Sequence, residues 1–133
     1  MLLLLCLFLA TGCDGGRPQY KVKGTVKFNK DESVARFGSI EFRSETEPFV
    51  IARAKIQEDG TFALKSGSRL GAVAGWHTVV IMQSVTNLHG KVKHNHGLEA
   101  AKKYRDHRTT DLRFEVVEDS DDGELVLMID EKK

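Results

Sequence analysis

Histidine is the side chain gathered most densely in this sequence, and it is the type that would bind a metal. Four of the five histidines, His89, His94, His96 and His107, fall within residues 89–107. Side chains two positions apart in an extended chain share a side, so His94 and His96 can present both rings together. Neutral imidazoles so placed are ligands for zinc or copper. Their surroundings oppose that use. Lys91, Lys93, Lys102 and Lys103 add positive charge that repels a cation, and only Glu99, Asp106 and Asp111 are close enough in sequence to hold the second ring nitrogens. The expectation is an exposed loop without a tight metal site and a chain without a cofactor. A metal centre of His89, His94, His96 and His107 is the alternative.

Other kinds of chemistry find less support. The two cysteines, Cys6 and Cys13, both lie in the apolar N-terminal stretch, and none follows. A disulfide framework, a thiolate metal site and a cysteine nucleophile are thereby excluded from the rest of the chain. Asp119, Asp121 and Asp122 precede Gly123, but the alternating spacing of a calcium loop is broken and Glu124 comes too soon, so a solvated turn is expected. No G-x-S-x-G, phosphate-binding glycine loop or H-E-x-x-H occurs. Twenty Lys and Arg against 19 Asp and Glu leave a net charge of +1, with no long block of either sign, and nothing points to nucleic acid. Hydrophobic residues at 41% and charged residues at 29% suit one folded, soluble domain.

Residues 1–10, MLLLLCLFLA, form an apolar run far shorter than the roughly 20 residues that a membrane-spanning helix needs. Small residues follow it. Ala10-Thr11-Gly12-Cys13 resembles the lipobox of bacterial lipoproteins, where the cysteine sulfur receives diacylglycerol and becomes the first mature residue. The resemblance implies a signal peptide over residues 1–12, a lipidated tether over 13–19 and a folded domain over 20–133. Asp14, Gly15, Gly16, Arg17 and Pro18 make that tether short and polar. Two or three acyl chains, at about 0.8 kcal/mol per buried methylene, would hold Cys13 on a membrane of the cell envelope.

The remainder reads as strands. Tyr20, Val22, Gly24, Val26 and Phe28 alternate with Lys21, Lys23, Thr25 and Lys27, the pattern of a half-buried strand. Ile40 and Phe42 alternate with Glu41 and Arg43, and Ala52, Ala54 and Ile56 with Arg53, Lys55 and Gln57. Asp59-Gly60 then predicts a type I′ hairpin leading to Phe62 and Leu64. After a glycine-rich connector over residues 66–75, the β-branched run with Val79, Val80 and Ile81 predicts a central strand. Leu112, Phe114 and Val116 alternate again, and residues 124–129 close the series. Seven strands in one domain indicate an all-β sandwich, with one short helix expected over residues 98–104 (LEAAKKY) inside a long loop.

The order of these motifs resembles the carboxypeptidase regulatory-like domain, also called transthyretin-like or prealbumin-like, of small bacterial lipoproteins. Val22-Lys23-Gly24-Thr25-Val26 is similar to its V-x-G-x-V strand, Gly38-Ser39-Ile40-Glu41-Phe42 to its G-x-I-x-F strand, and Asp59-Gly60-Thr61-Phe62 to its D-G-x-F turn. Residues 71–81, with Gly75, resemble its glycine-led central strand, and Lys103-Tyr104 with residues 109–116 its ending. The resemblance implies a seven-stranded Greek-key sandwich in which Gly24, Gly38, Asp59, Gly60, Phe62, Gly75 and Tyr104 are structural. It also places His77 as an inward, packed ring. A hydrolase of a purine breakdown product shares this fold, but its closing Tyr-Arg-Gly-Ser has no counterpart in Ile129-Asp130-Glu131-Lys132-Lys133. The function expected is therefore a membrane-anchored, non-catalytic binding or scaffold module with a protein or glycan ligand. A periplasmic metal-binding protein is the alternative, and a hydrolase is less favoured.

Overall fold

The computed structural model describes residues 16–83, 97–118 and 124–133, and these form an all-β protein. The first long alternating run divides in two. Gln19–Tyr20 (β1) pairs with Ala72–Val73 (β8), whereas Lys23–Phe28 (β2) enters a different sheet. The glycine-rich connector also carries strands, because Lys65–Ser66 (β6) and Arg69–Leu70 (β7) fold on each other around Gly67, a left-handed residue at φ 61°. The described residues thus hold eleven strands where the sequence leads one to expect seven. The added strands are two-residue pairings, too short to leave an alternation signal.

Six strands make the larger, wholly antiparallel sheet. Arg113–Val116 (β10), Gly75–Met82 (β9), Ser39–Ser44 (β3) and Ile51–Lys55 (β4) lie side by side, followed by β6 and β7. β9, which carries Val79, Val80 and Ile81, lies between β10, paired along residues 75–78, and β3, paired along residues 77–82. In the smaller sheet β2 lies between Thr61–Ala63 (β5), which is antiparallel to it, and Glu124–Ile129 (β11), which is parallel. Gly24 on β2 faces Leu125 of β11, and a Cβ there would collide with the Leu125 carbonyl.

The inner faces of the two sheets share one core. Val26, Phe28, Phe62, Leu127 and Ile129 from the smaller sheet meet Ile40, Phe42, Ala52, Val79, Ile81 and Val116 from the larger. The Phe42 ring lies 6.2 Å from that of Phe62, a tilted contact across the layer, and 5.7 Å from that of Phe114, an edge-on contact within the larger sheet.

Two local expectations change form. Gln57 donates its N–H to Thr61 and Gly60 donates to Gln57, while Gly60 alone of the turn is left-handed, at φ 80°. That is the three-residue connection with a glycine bulge rather than a type I′ turn. Beyond it the strands part, β4 to the larger sheet and β5 to the smaller. A Cβ at Gly60 would stand 2.7 Å from the Val34 Cβ, so the site needs glycine for space as well as for φ.

The helix expected over residues 98–104 shortens to a single 3-10 turn, Lys102–Arg105 (η1). Ala100 instead bridges to Glu131, Ala101 donates to the Asp130 carbonyl, and Lys132 donates to the Glu99 carbonyl. Pairing with the end of β11 therefore overrides the helix propensity of these residues.

Candidate functional site

Cys13, His89, His94 and His96 lie outside the described residues. His107 is the described member of the expected metal set. Its side chain is 45% exposed, and Nδ1 stands 3.6 Å from Asp106 Oδ1. Arg108 already holds that carboxylate, with Nη2 at 2.6 Å and Nε at 3.0 Å, and keeps it well below the usual carboxylate range. Among the described residues no three His, Cys, Asp or Glu side chains converge as metal ligands.

His77 is 1% exposed, on the inner face of β9. Its Nδ1 donates to the Gly75 carbonyl at 2.9 Å, and its ring centre is 6.0 Å from that of Phe42. Burial lowers its pKa from the ordinary value, partly offset by the Gly75 carbonyl and the Glu45 carboxylate. The expected inward, packed ring is what the structure has.

The motif residues take framework positions. Gly38 and Gly75 are left-handed, at φ 115° and 117°. Asp59 Oδ1 accepts from the Thr61 N–H at 3.0 Å and from its hydroxyl at 2.6 Å, which fixes the turn ahead of the buried Phe62. Tyr104 joins a wider network. Its hydroxyl accepts from the Asp130 N–H at 2.9 Å and donates to Asp130 Oδ2 at 3.2 Å. Lys103 bridges Asp111 and Asp130 at 2.7 and 2.9 Å, and Asn29 donates to the other Asp130 oxygen at 2.9 Å. Lys103 is the main cause of the drop in the Asp130 pKa to about 2, with Asn29 and Tyr104 adding to it. The cluster clips η1 to the end of β11.

A groove of about 540 Å³ opens where β4 and β5 diverge into their separate sheets. Lys23, Arg53, Lys55 and Lys65 line it together with Thr61 and Glu124. Arg53 is committed to Glu41 through Nε at 2.9 Å. Lys23, Lys55 and Lys65 form no ion pair among the described residues, so three ammonium groups face one carboxylate and the groove is electropositive. In the sequence these lysines read only as the outward half of alternating strands. Their convergence depends on the separation of β4 from β5, which no local pattern announces.

A second polar group lies on the outer face of the larger sheet. Arg113 binds Glu45 through both Nε and Nη2 at 2.7 Å and covers the Trp76 ring, its guanidinium carbon 4.6 Å from the ring centre. Glu45 also donates its N–H to the Trp76 carbonyl at 2.9 Å. Nearby, Arg17, ahead of β1, pairs with Glu47.

The chain matches no protein-family model, no curated protein and no solved structure.

Proposed function

We propose that this chain is a bacterial lipoprotein, held on a membrane of the cell envelope by lipid on Cys13, whose domain binds or scaffolds and does not catalyse. The domain is read as a seven-stranded Greek-key sandwich of the transthyretin-like kind, elaborated by the short strands β1, β6, β7 and β8. Support for the fold comes from the order of the V-x-G-x-V, G-x-I-x-F and D-G-x-F motifs and from the two sheets packed on one core.

The observation that carries the binding role is the electropositive groove, where Lys23, Lys55 and Lys65 stand unpaired among the described residues. Charge of that kind selects an anionic ligand, and a groove open to solvent suits a stretch of polymer, glycan or polypeptide, better than a small molecule. The polar clusters described above are ion-paired or buried in ways that serve the framework, which leaves the groove as the place where a ligand gains most.

Two measurements test the reading. Radiolabelled palmitate should enter the wild-type chain and not Cys13→Ser, and the substitution should move the protein from the membrane fraction to the soluble one. Uptake of label by neither, with the wild type soluble, removes the anchor. For the groove, the full chain should retain polygalacturonate or polyglutamate, and Lys23→Gln, Lys55→Gln and Lys65→Gln together should cut that affinity at least about tenfold at low salt without lowering Tm. Equal binding by the triple variant would place the ligand elsewhere.

A further inference from the structure

Phe49 is 99% exposed, and its position is built rather than loose. It occupies the third place of a four-residue turn closed by the Val50 N–H on the Glu47 carbonyl at 2.8 Å, with Pro48 fixing the backbone before it. The Ser44 N–H donates to the Val50 carbonyl at 3.0 Å, and the Glu47 N–H donates to the Ser44 hydroxyl at 3.2 Å. Glu45 is tied in turn to Trp76. A phenyl ring is thus displayed to water on a braced loop between β3 and β4.

The same loop receives the tether. Arg17 pairs with Glu47, two residues before Phe49, so the chain leaves the domain at this end. From Arg17 back to Cys13 there are four residue steps, which span at most about 14 Å. A domain of roughly 100 residues has a radius of gyration near 13 Å, so a tether this short cannot let the far end turn down to a surface that holds Cys13.

Resting on the lipoprotein reading, we propose that the 45–50 loop docks on the lipid bilayer, with Phe49 inserted at the boundary between headgroups and acyl chains. Phe and Trp favour that depth, and half-exposed Trp76 at the start of β9 lies beside the loop. A single ring is a weak membrane ligand by itself. Here the lipid on Cys13 has already brought the domain to the surface, so the ring acts at high effective concentration and only has to select an orientation. Glu47 and Glu45 offset Arg17 and Arg113 by pairing with them, which leaves Arg69 beside Gly16 as the additional cation at this end, so the contact is mainly apolar and does not require an anionic membrane.

The test uses lipidated full chain in phosphatidylcholine vesicles, with part of the lipid brominated in its acyl chains to quench nearby indoles. Trp76 is the one tryptophan, so Trp76→Phe provides a silent background. Phe49→Trp in that background should show blue-shifted emission and lose most of it to brominated lipid, in high salt as in low. Glu58→Trp, beyond the far end of β4, should stay unquenched. If Trp76→Phe disturbs the circular dichroism spectrum, the difference between Phe49→Trp and wild type, with Trp76 kept, reads the same contact. Vesicle flotation separates the failures. A chain that floats but is unquenched at position 49, or equally quenched at 49 and 58, overturns the docking alone, whereas a chain that carries no lipid and does not float overturns the anchor and the docking together.

Discussion

A neutral imidazole shut inside an apolar core makes stability depend on pH in a particular window. Burial lowers the pKa of His77 in the folded protein, while in the unfolded chain it titrates near its ordinary value of about 6.5. Below that value the unfolded state takes up a proton that the folded state resists, and by linkage the folded state loses stability as pH falls, until the lowered folded pKa is reached. Urea midpoints should therefore decline as the pH falls below about 6.5, and the decline should be smaller in His77→Phe, which has nothing to protonate. A slope unchanged by the substitution would assign it to another group. The paired carboxylates Asp106 and Asp130 act in a lower range, because their pKa values are depressed and their contribution is lost only as pH falls below the ordinary carboxylate values.

Among the elements, η1 is the one whose place depends most on side chains. One turn of 3-10 helix has almost no stability of its own, and Tyr104 holds it by burying its ring and capping Asp130 with its hydroxyl. Tyr104→Phe keeps the packing but leaves the Asp130 N–H without that acceptor. It should cost about 1–3 kcal/mol in chemical denaturation, while Tyr104→Ala should cost more, about 3–5 kcal/mol, through the cavity. If Tyr104→Phe is neutral, the hydroxyl is replaceable by water and the clip rests on Lys103. The Lys103-Tyr104 dipeptide was visible in the sequence as a motif, but its partners were not. Asn29 and Asp130 are 101 positions apart and meet only because β2 and β11 run in parallel. Strands with a full alternation, such as β2 and β3, were legible because one side of each faces the core and the other faces away in regular order, and β9 was legible as a continuous β-branched run. Residues 98–101 misled because their helix propensity is a local preference, and a pairing with the end of β11 outweighs it. The lysine groove stayed hidden for a related reason: outward lysines on β2, β4 and β6 are ordinary until the sheets set them around one opening.

On the scale of the whole molecule, the most consequential pairing joins the two ends of the domain. β11 lies parallel to β2 over six residues, Glu124 opposite Lys23 through Ile129 opposite Phe28, and Leu127 and Ile129 complete the core over the smaller sheet. Ending the chain after residue 118 should therefore prevent cooperative folding, with no thermal transition by calorimetry and strong binding of a hydrophobic dye, rather than simply lowering Tm. A truncated chain with a sharp transition would show that the larger sheet folds alone. The same pairing sets a clock. While the chain is being synthesised, β2 is among the first parts of the domain to emerge, yet it has no parallel partner until residues 124–129 have been made, and the contacts that close the core span nearly the whole sequence. Folding of the domain is thus deferred until residues 124–129 have left the ribosome. For the exported lipoprotein proposed above, which would have to thread a secretion channel as an extended chain, this topology supplies a delay, because β11, which locks the smaller sheet, is made long after β2.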